Sequence, residues 1–406
     1  MENQKFTSYE WFVVLLLATL QFTVVLDFMV LSPLGAILLE ELEISTAQFG
    51  VVVSVYAFSA GISGFLAAGF ADKYDRKSFL LFFYTGFVVG TVLCGLAPSY
   101  YFLLGARIIT GIFGGVISSI SFAIITDLFH FSRRGRVMGF VQMAFAASQV
   151  LGIPVGLVLA NAWGWHAPFL MIAFFALGVG IVIWYKLRPV NEHLQIRDKP
   201  EVFNHLRRTI TNRHYLLAFM GTTVLATGGY MLMPFGTAYG IYNMGLTMEQ
   251  LPLIYVVTGA FNILFGPLIG ILSDRMGKYL VFVFGSVLAM ILVLIYTRLG
   301  ITPLWLVLVL NVVMFLGITA RMIPASALMT GVPVLKDRGA FMSINASVQQ
   351  LAGGIASLLA GWIVVQNEQG QLLHYDWLGY VVVCTMVLSM GILFLVQRRV
   401  QLAGQN

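Results

Sequence analysis

The chain has 406 residues, 59% of them hydrophobic and only 10% charged. An ordinary soluble domain carries about 25% charged residues, so a water-soluble globule is excluded and a polytopic membrane protein is indicated. The net charge of +6 would suggest nucleic acid in a soluble protein, but here its distribution among loops carries the information.

The N-terminal MENQKFTSYE lacks a basic n-region, and the apolar run behind it is too long for a signal-peptide core, so no cleaved leader is expected. That first run, Trp11 to Leu39, has Asp27 as its only ionisable side chain. Asp27 lies about 24 Å along the helix from Trp11 and about 18 Å from Leu39, inside a hydrocarbon layer of about 30 Å. A carboxylate there costs several kcal/mol unless paired, protonated or facing water, which makes it a functional candidate.

Twelve apolar runs of spanning length follow one another: 11–39, 47–71, 79–97, 101–126, 136–160, 166–187, 215–240, 250–273, 279–297, 303–329, 339–365 and 376–397. Pro33, Pro154, Pro234 and Pro324 sit inside runs and are the expected bends. Cys94 and Cys384 lie in apolar runs of different halves and suggest neither a disulfide framework nor a metal site. The loops on the N-terminal side hold 20 of the 23 lysines and arginines, whereas the opposite loops are acidic, with Glu40, Glu41, Glu43, Glu249, Glu368 and Asp376. The positive-inside rule therefore places both termini in the cytoplasm. Arg107 and Arg321 fall within the spans themselves.

A polar, basic linker divides the runs six and six, giving a first half 1–187, a linker 188–214, a second half 215–397 and a tail 398–406. The linker offers an amphipathic helix from Val202 to Ile210, or simply a solvated basic loop. A repeat supports the division. AGFADKYDRK after run 2 recurs as GILSDRMGKY after run 8, placing Asp72 and Asp274 202 residues apart, and Arg134 to Met138 matches Arg338 to Met342 at an offset of 204. Two parallel six-span repeats place a substrate site between the halves, near the bilayer midplane.

These motifs resemble the major facilitator superfamily, and within it the twelve-span drug:H+ antiporters, over the whole chain. The turn pattern G-x-L-a-D-r-x-G-r-k is met by Gly270, Asp274, Arg275, Gly277 and Lys278; the first copy keeps Asp72, Lys73, Arg76 and Lys77 but has Ala68 and Asp75 where glycines are expected. The helix 4 pattern L-x-x-x-R-x-x-q-G is met by Leu103, Arg107 and Gly111, with Thr110 in the glutamine position. The helix 5 antiporter pattern survives as Ser148, Gly152, Pro154 and Gly156, with Leu157 for the last glycine.

The resemblance implies an all-α integral membrane fold of twelve transmembrane helices in two six-helix pseudo-repeats. It implies a proton-coupled exporter of small amphipathic compounds, working as a monomer in the inner membrane without a cofactor, driven by the proton gradient. Its partners would be the substrate, protons and the bilayer, with no nucleic acid. Asp27 and Arg107 are the candidate proton-coupling pair, as a switch or as a static ion pair. Asp72, Arg76, Lys77, Asp127 and Asp274 are candidates for a cytoplasmic gate. Gln21, Gln142, Gln149, Tyr230, Asn262, Asn311, Arg321, Asn345 and Gln349 are candidates for the cavity, because amides facing lipid would be costly. Arg321, with no matching acid in a second-half span, keeps open a transporter of a metabolite, sugar or organic anion. A non-transporting membrane sensor is the other alternative. No P-loop, zinc-ligand spacing or nucleophile elbow occurs, which argues against ATP drive and catalysis.

Overall fold

A computed structural model describes residues 6–67, 73–191, 194, 202–334 and 337–403. Its long helices are α1 Ser8–Val30, α2 Thr46–Ala67, α3 Arg76–Gly95, α4 Tyr100–Leu128, α5 Arg136–Trp163 and α6 His166–Lys186, then α7 Arg213–Tyr242, α8 Met248–Met276, α9 Lys278–Tyr296, α10 Leu304–Thr330, α11 Arg338–Ile363 and α12 Tyr375–Val400. Among the described residues, eleven are long and apolar enough to cross a membrane. The twelfth, α11, equals them in length but carries Asn345, Ser347, Gln349, Gln350 and Ser357, which make it more polar. That face is turned to protein: the Thr222 hydroxyl of α7 donates to Asn345 at 2.6 Å, and Ser357 donates to the Tyr230 carbonyl at 3.2 Å.

Local sequence sets the ends and breaks. The Thr7 side chain accepts from the Glu10 amide and the Glu10 carboxylate accepts from the Thr7 amide, a reciprocal cap that starts α1. Pro33 ends α1, and the run continues as a short helix, Gly35–Glu41. Pro154 follows a π-helical turn, Ser148–Gly152, within α5, and Pro234 sits in a 3-10 turn, Met233–Phe235, within α7. Pro324 is accommodated inside α10, as is Pro267 inside α8. Of the two readings of the linker, the helix forms, as Val202–Thr211; its Leu206 is buried in one cluster with Tyr215, Phe219 and Phe341 of the second half. A two-stranded antiparallel hairpin, Val365–Gln366 with Leu372–Leu373, joins α11 to α12.

Three apolar cores organise the bundle. One lies within the first half around Leu17, Phe87 and Ile120, one within the second around Phe219, Phe282 and Phe341, and the third joins both halves at the acidic face through Leu34, Phe49, Phe235 and Tyr239. At that face the Ser32 hydroxyl donates to the Met233 carbonyl left over by the break in α7, and Asn161 of α5 donates to the Met248 carbonyl at 3.0 Å. Helices α2 and α11 pack closely through small residues: a Cβ on Gly50 would lie 2.9 Å from the Ser357 carbonyl oxygen and 3.0 Å from the Gly361 Cα. Toward the face bearing the termini α5 and α8 draw apart. Gly139, Gly266 and Gly270 have nothing within 4 Å of where a Cβ would stand.

Candidate functional site

Asp27 and Arg107 meet inside the first half. Arg107 Nη1 donates to Asp27 Oδ2 at 2.9 Å and to the Asp27 carbonyl at 3.3 Å, and both side chains are 0% exposed. Thr91 of α3 donates to the other carboxylate oxygen, Oδ1, at 3.2 Å. The guanidinium lies over the Tyr56 ring of α2, its carbon 4.3 Å from the centroid. Arg107 Nε and Nη2 are buried without a hydrogen-bond partner. Among the described residues, Asp27 is the only buried acid. A charge withdrawn from water this completely is tolerated only with a partner, and removing one partner of such a pair costs about 3–5 kcal/mol.

The glycines of α4 make this convergence possible. A Cβ on Gly111 would stand 2.6 Å from the Tyr56 carbonyl oxygen, and one on Gly114 would stand 2.9 Å from the Tyr56 hydroxyl. The missing side chains bring α2 close enough to lay its ring on the arginine one turn earlier. On the other side of α4, Thr110 donates to the Ala106 carbonyl at 2.7 Å and lies 3.6 Å from Cys94 Sγ. A Cβ on Gly90 of α3 would meet Thr110 Oγ1 at 2.7 Å, so the threonine fills the helix contact itself.

At the termini face, Arg76 Nε donates to Asp127 Oδ2 at 2.9 Å, and Lys77 Nζ donates to the Trp184 carbonyl at 2.7 Å. Both contacts stay inside the first half, tying α3 to α4 and α6; neither spans to the second half. Asp72, a candidate for the cytoplasmic gate, lies outside the described residues. Asp274 ends α8 exposed to solvent. Asp75, in the place of a family glycine, caps α3 by accepting from the Ser78 amide at 2.9 Å. Its second oxygen accepts from the Val190 amide at 2.8 Å and so fastens the start of the linker.

The polar candidates for the cavity separate into groups. Gln21 accepts from Ser118 at 3.0 Å, holding α1 to α4. Tyr230 donates to Gln350 at 3.1 Å, and its ring lies 5.7 Å from that of Phe28, across the space between the halves. Gln349 and Gln149 are half-buried, and Gln142 is exposed on the part of α5 that has left α8. Gly152, Pro154 and Gly156 pack on α1 and α6: a Cβ on Gly152 would meet Leu26, and one on Gly156 would meet Val30 and Pro168. Asn262 accepts from Thr319, between α8 and α10, and Asn311 donates to Val307 of its own helix at 2.9 Å. Arg321 points elsewhere. It is 3% exposed and donates to Ser286 of α9 at 3.2 Å and to Ser389 of α12 at 3.3 Å, with Phe282 beneath it. The structure thus packs it among second-half helices rather than into the space between the halves.

Tyr56, Thr91 and Phe28 complete the Asp27 site without having been read from the sequence. The available signal was Gly111, four residues after Arg107, which marks where another backbone approaches. Nothing in the pattern of α3 distinguishes Thr91 from other small polar residues of the spans.

Comparison with known proteins agrees with this architecture. The profile described as the Major Facilitator Superfamily matches residues 17–330 and 218–406. The chain is 28% identical to the uncharacterized transporter YceJ of Bacillus subtilis (strain 168) over 271 residues, 66% of this chain and 69% of that protein. It is 37% identical to multidrug resistance protein 3 of the same organism over 116 residues, 28% of this chain and 23% of that one. Among solved structures it resembles a bacterial homologue of the human lysosomal transporter Spinster, in an inward-facing and unoccupied conformation, with TM-score 0.72 at 17% identity over 97% of this chain and 98% of that one. It also resembles the xylose transporter XylE of E. coli in a partially occluded inward-open conformation, with TM-score 0.73 at 17% identity over 96% and 98%. The helical halves, the buried charge pair and these matches converge: the chain is a membrane-embedded secondary transporter and belongs to the Major Facilitator Superfamily.

Proposed function

We propose that this transporter exchanges protons for small amphipathic compounds and moves them out of the cell across the inner membrane. The observation that carries the reading is the fully buried Asp27–Arg107 pair, the single buried acid among the described residues held by the arginine of the helix 4 motif. An acid in this setting changes its charge only when its partner moves or water enters, which is what coupling to alternating access requires. With the basic loops and both termini in the cytoplasm, the acidic face is closed and the parted ends of α5 and α8 open inwards. The partial match to a multidrug resistance protein supports export of amphipathic compounds.

The metabolite or anion reading rested on Arg321. A guanidinium enclosed by Ser286, Ser389 and Phe282 is poorly placed to meet an anionic substrate. The test is proton movement in everted vesicles under an imposed pH gradient, with lipophilic cations, sugars and organic anions added in turn. Dissipation of the gradient by a lipophilic cation supports antiport; a response to a sugar or anion alone overturns it.

A further inference from the structure

We infer that Tyr56 is a positioning residue that links the charge state of Asp27 to the wall of the space between the halves, an inference that rests on the proton-coupling reading of the pair. A guanidinium offers five N–H donors. Arg107 spends Nη1 on Asp27, while Nε and Nη2 are buried and unpartnered. What faces the rest of the cation is the Tyr56 ring, at 4.3 Å. While Asp27 is ionised, the arginine has both carboxylate and ring. Once Asp27 takes a proton, the carboxylate charge is gone and the guanidinium keeps the Asp27 carbonyl and the ring face, and a cation–π contact is strongest when desolvated.

The ring is therefore held more tightly to Arg107 in one protonation state than in the other. Its other contacts carry that difference outwards. The Tyr56 and Phe28 rings lie 5.2 Å apart, Phe28 and Tyr230 lie 5.7 Å apart, and Tyr230 donates to Gln350 of α11 at 3.1 Å. The chain of contacts starts at a charge pair of the first half and ends on two helices of the second. Its far end is braced by backbone, since a Cβ on Gly353 would lie 2.6 Å from the Tyr230 ring.

Few other groups can take part in the titration. Tyr56 from α2 and Cys94 from α3 face the pair; Tyr230 of α7 lies beyond Phe28, and Tyr84 of α3 is bonded to Thr23 four residues before Asp27. Among the described residues, the other buried bases, Arg76 and Arg321, lie at the termini face and among α9, α10 and α12.

The test needs no substrate. The full-length protein in lipid nanodiscs is titrated with infrared difference spectroscopy, and the protonated carboxyl band of Asp27 is identified by its loss in Asp27→Asn. Tyr56→Phe keeps the ring face and should keep the wild-type midpoint. Tyr56→Leu removes the face and should displace the midpoint by about one pH unit; Tyr56→Met, which fills the volume without a ring, should do the same and serves where the leucine variant does not fold. A wild-type midpoint in both ringless variants overturns the inference while leaving the coupling acid in place. A wild-type protein with no Asp27-dependent titration overturns both.

Discussion

Arg107 Nη1 sits 2.9 Å from Asp27 Oδ2 with neither side chain reached by solvent. Each charge is the other's principal compensation, so the pair should behave as a unit. Arg107→Leu alone leaves a buried, unpaired carboxyl group and should lower stability by about 3–5 kcal/mol. Asp27→Leu combined with Arg107→Leu should recover much of that loss. Thermal unfolding of the purified variants gives the comparison, and additive losses would argue that the two residues act independently.

Glycine at position 111 is required by the approach of α2, not by flexibility. Gly111→Ala forces its Cβ against the Tyr56 carbonyl oxygen and should cost about 1–3 kcal/mol through overpacking. Gly105→Ala on the same helix meets nothing within 4 Å and should be neutral or slightly stabilising, since alanine favours the helix. Equal effects of the two substitutions would contradict the packing described for α2 and α4.

The two arginines inside the spans should respond differently to the same change. Arg321 is bonded to two serine hydroxyls and no acid, and Ser389 also donates to the Met386 carbonyl at 2.7 Å. Arg321→Met therefore removes a buried charge without orphaning a partner charge. It should leave the melting temperature unchanged or raised, and leave the substrate range intact, because replacing buried charge by apolar volume is often neutral or stabilising. Arg107→Met should lower stability and abolish proton-linked flux. A loss of one substrate class in Arg321→Met would return that arginine to the cavity.

Asp75 does two tasks at the termini face, capping α3 and holding Val190. Asp75→Ala should cost about 1 kcal/mol as a lost cap and loosen the linker behind it. Faster tryptic cleavage after Lys186, which is exposed, is the expected sign. Unchanged cleavage would mean that the linker is fastened by the Arg188 amide, which donates to the Tyr9 hydroxyl at 3.0 Å, rather than by Asp75.

Much of the fold was legible because a membrane span needs only length and apolarity. Asp27 and Arg107 stood out for the same reason, as charges in segments that otherwise exclude them. Pro33 and Pro234 marked breaks because proline removes a donor and restricts the residue before it. Pro324 did not break its helix, since proline in a span is tolerated where neighbours take up the freed groups. The direction in which a side chain points was not legible. In a soluble helix the apolar stripe marks the buried face, but a span is apolar all round, and that signal is erased. Hence Arg321 read as a cavity residue while the structure turns it toward α9 and α12, and Tyr56 was passed over although it covers the coupling arginine. Arg76 and Asp127 stood out as gate candidates by their place in the loops, and the bond they form lies within one half, so it stiffens α3 against α4 without itself spanning the halves.

The most direct test of the account is proton counterflow in proteoliposomes containing the purified protein, loaded with the lipophilic cation tetraphenylphosphonium, comparing wild type with Asp27→Asn. The account predicts that outward movement of the cation drives protons inward in wild type, and that Asp27→Asn abolishes this linked proton flux while the protein stays folded. Proton flux that survives in Asp27→Asn would contradict it, leaving Asp27 as a structural partner of Arg107.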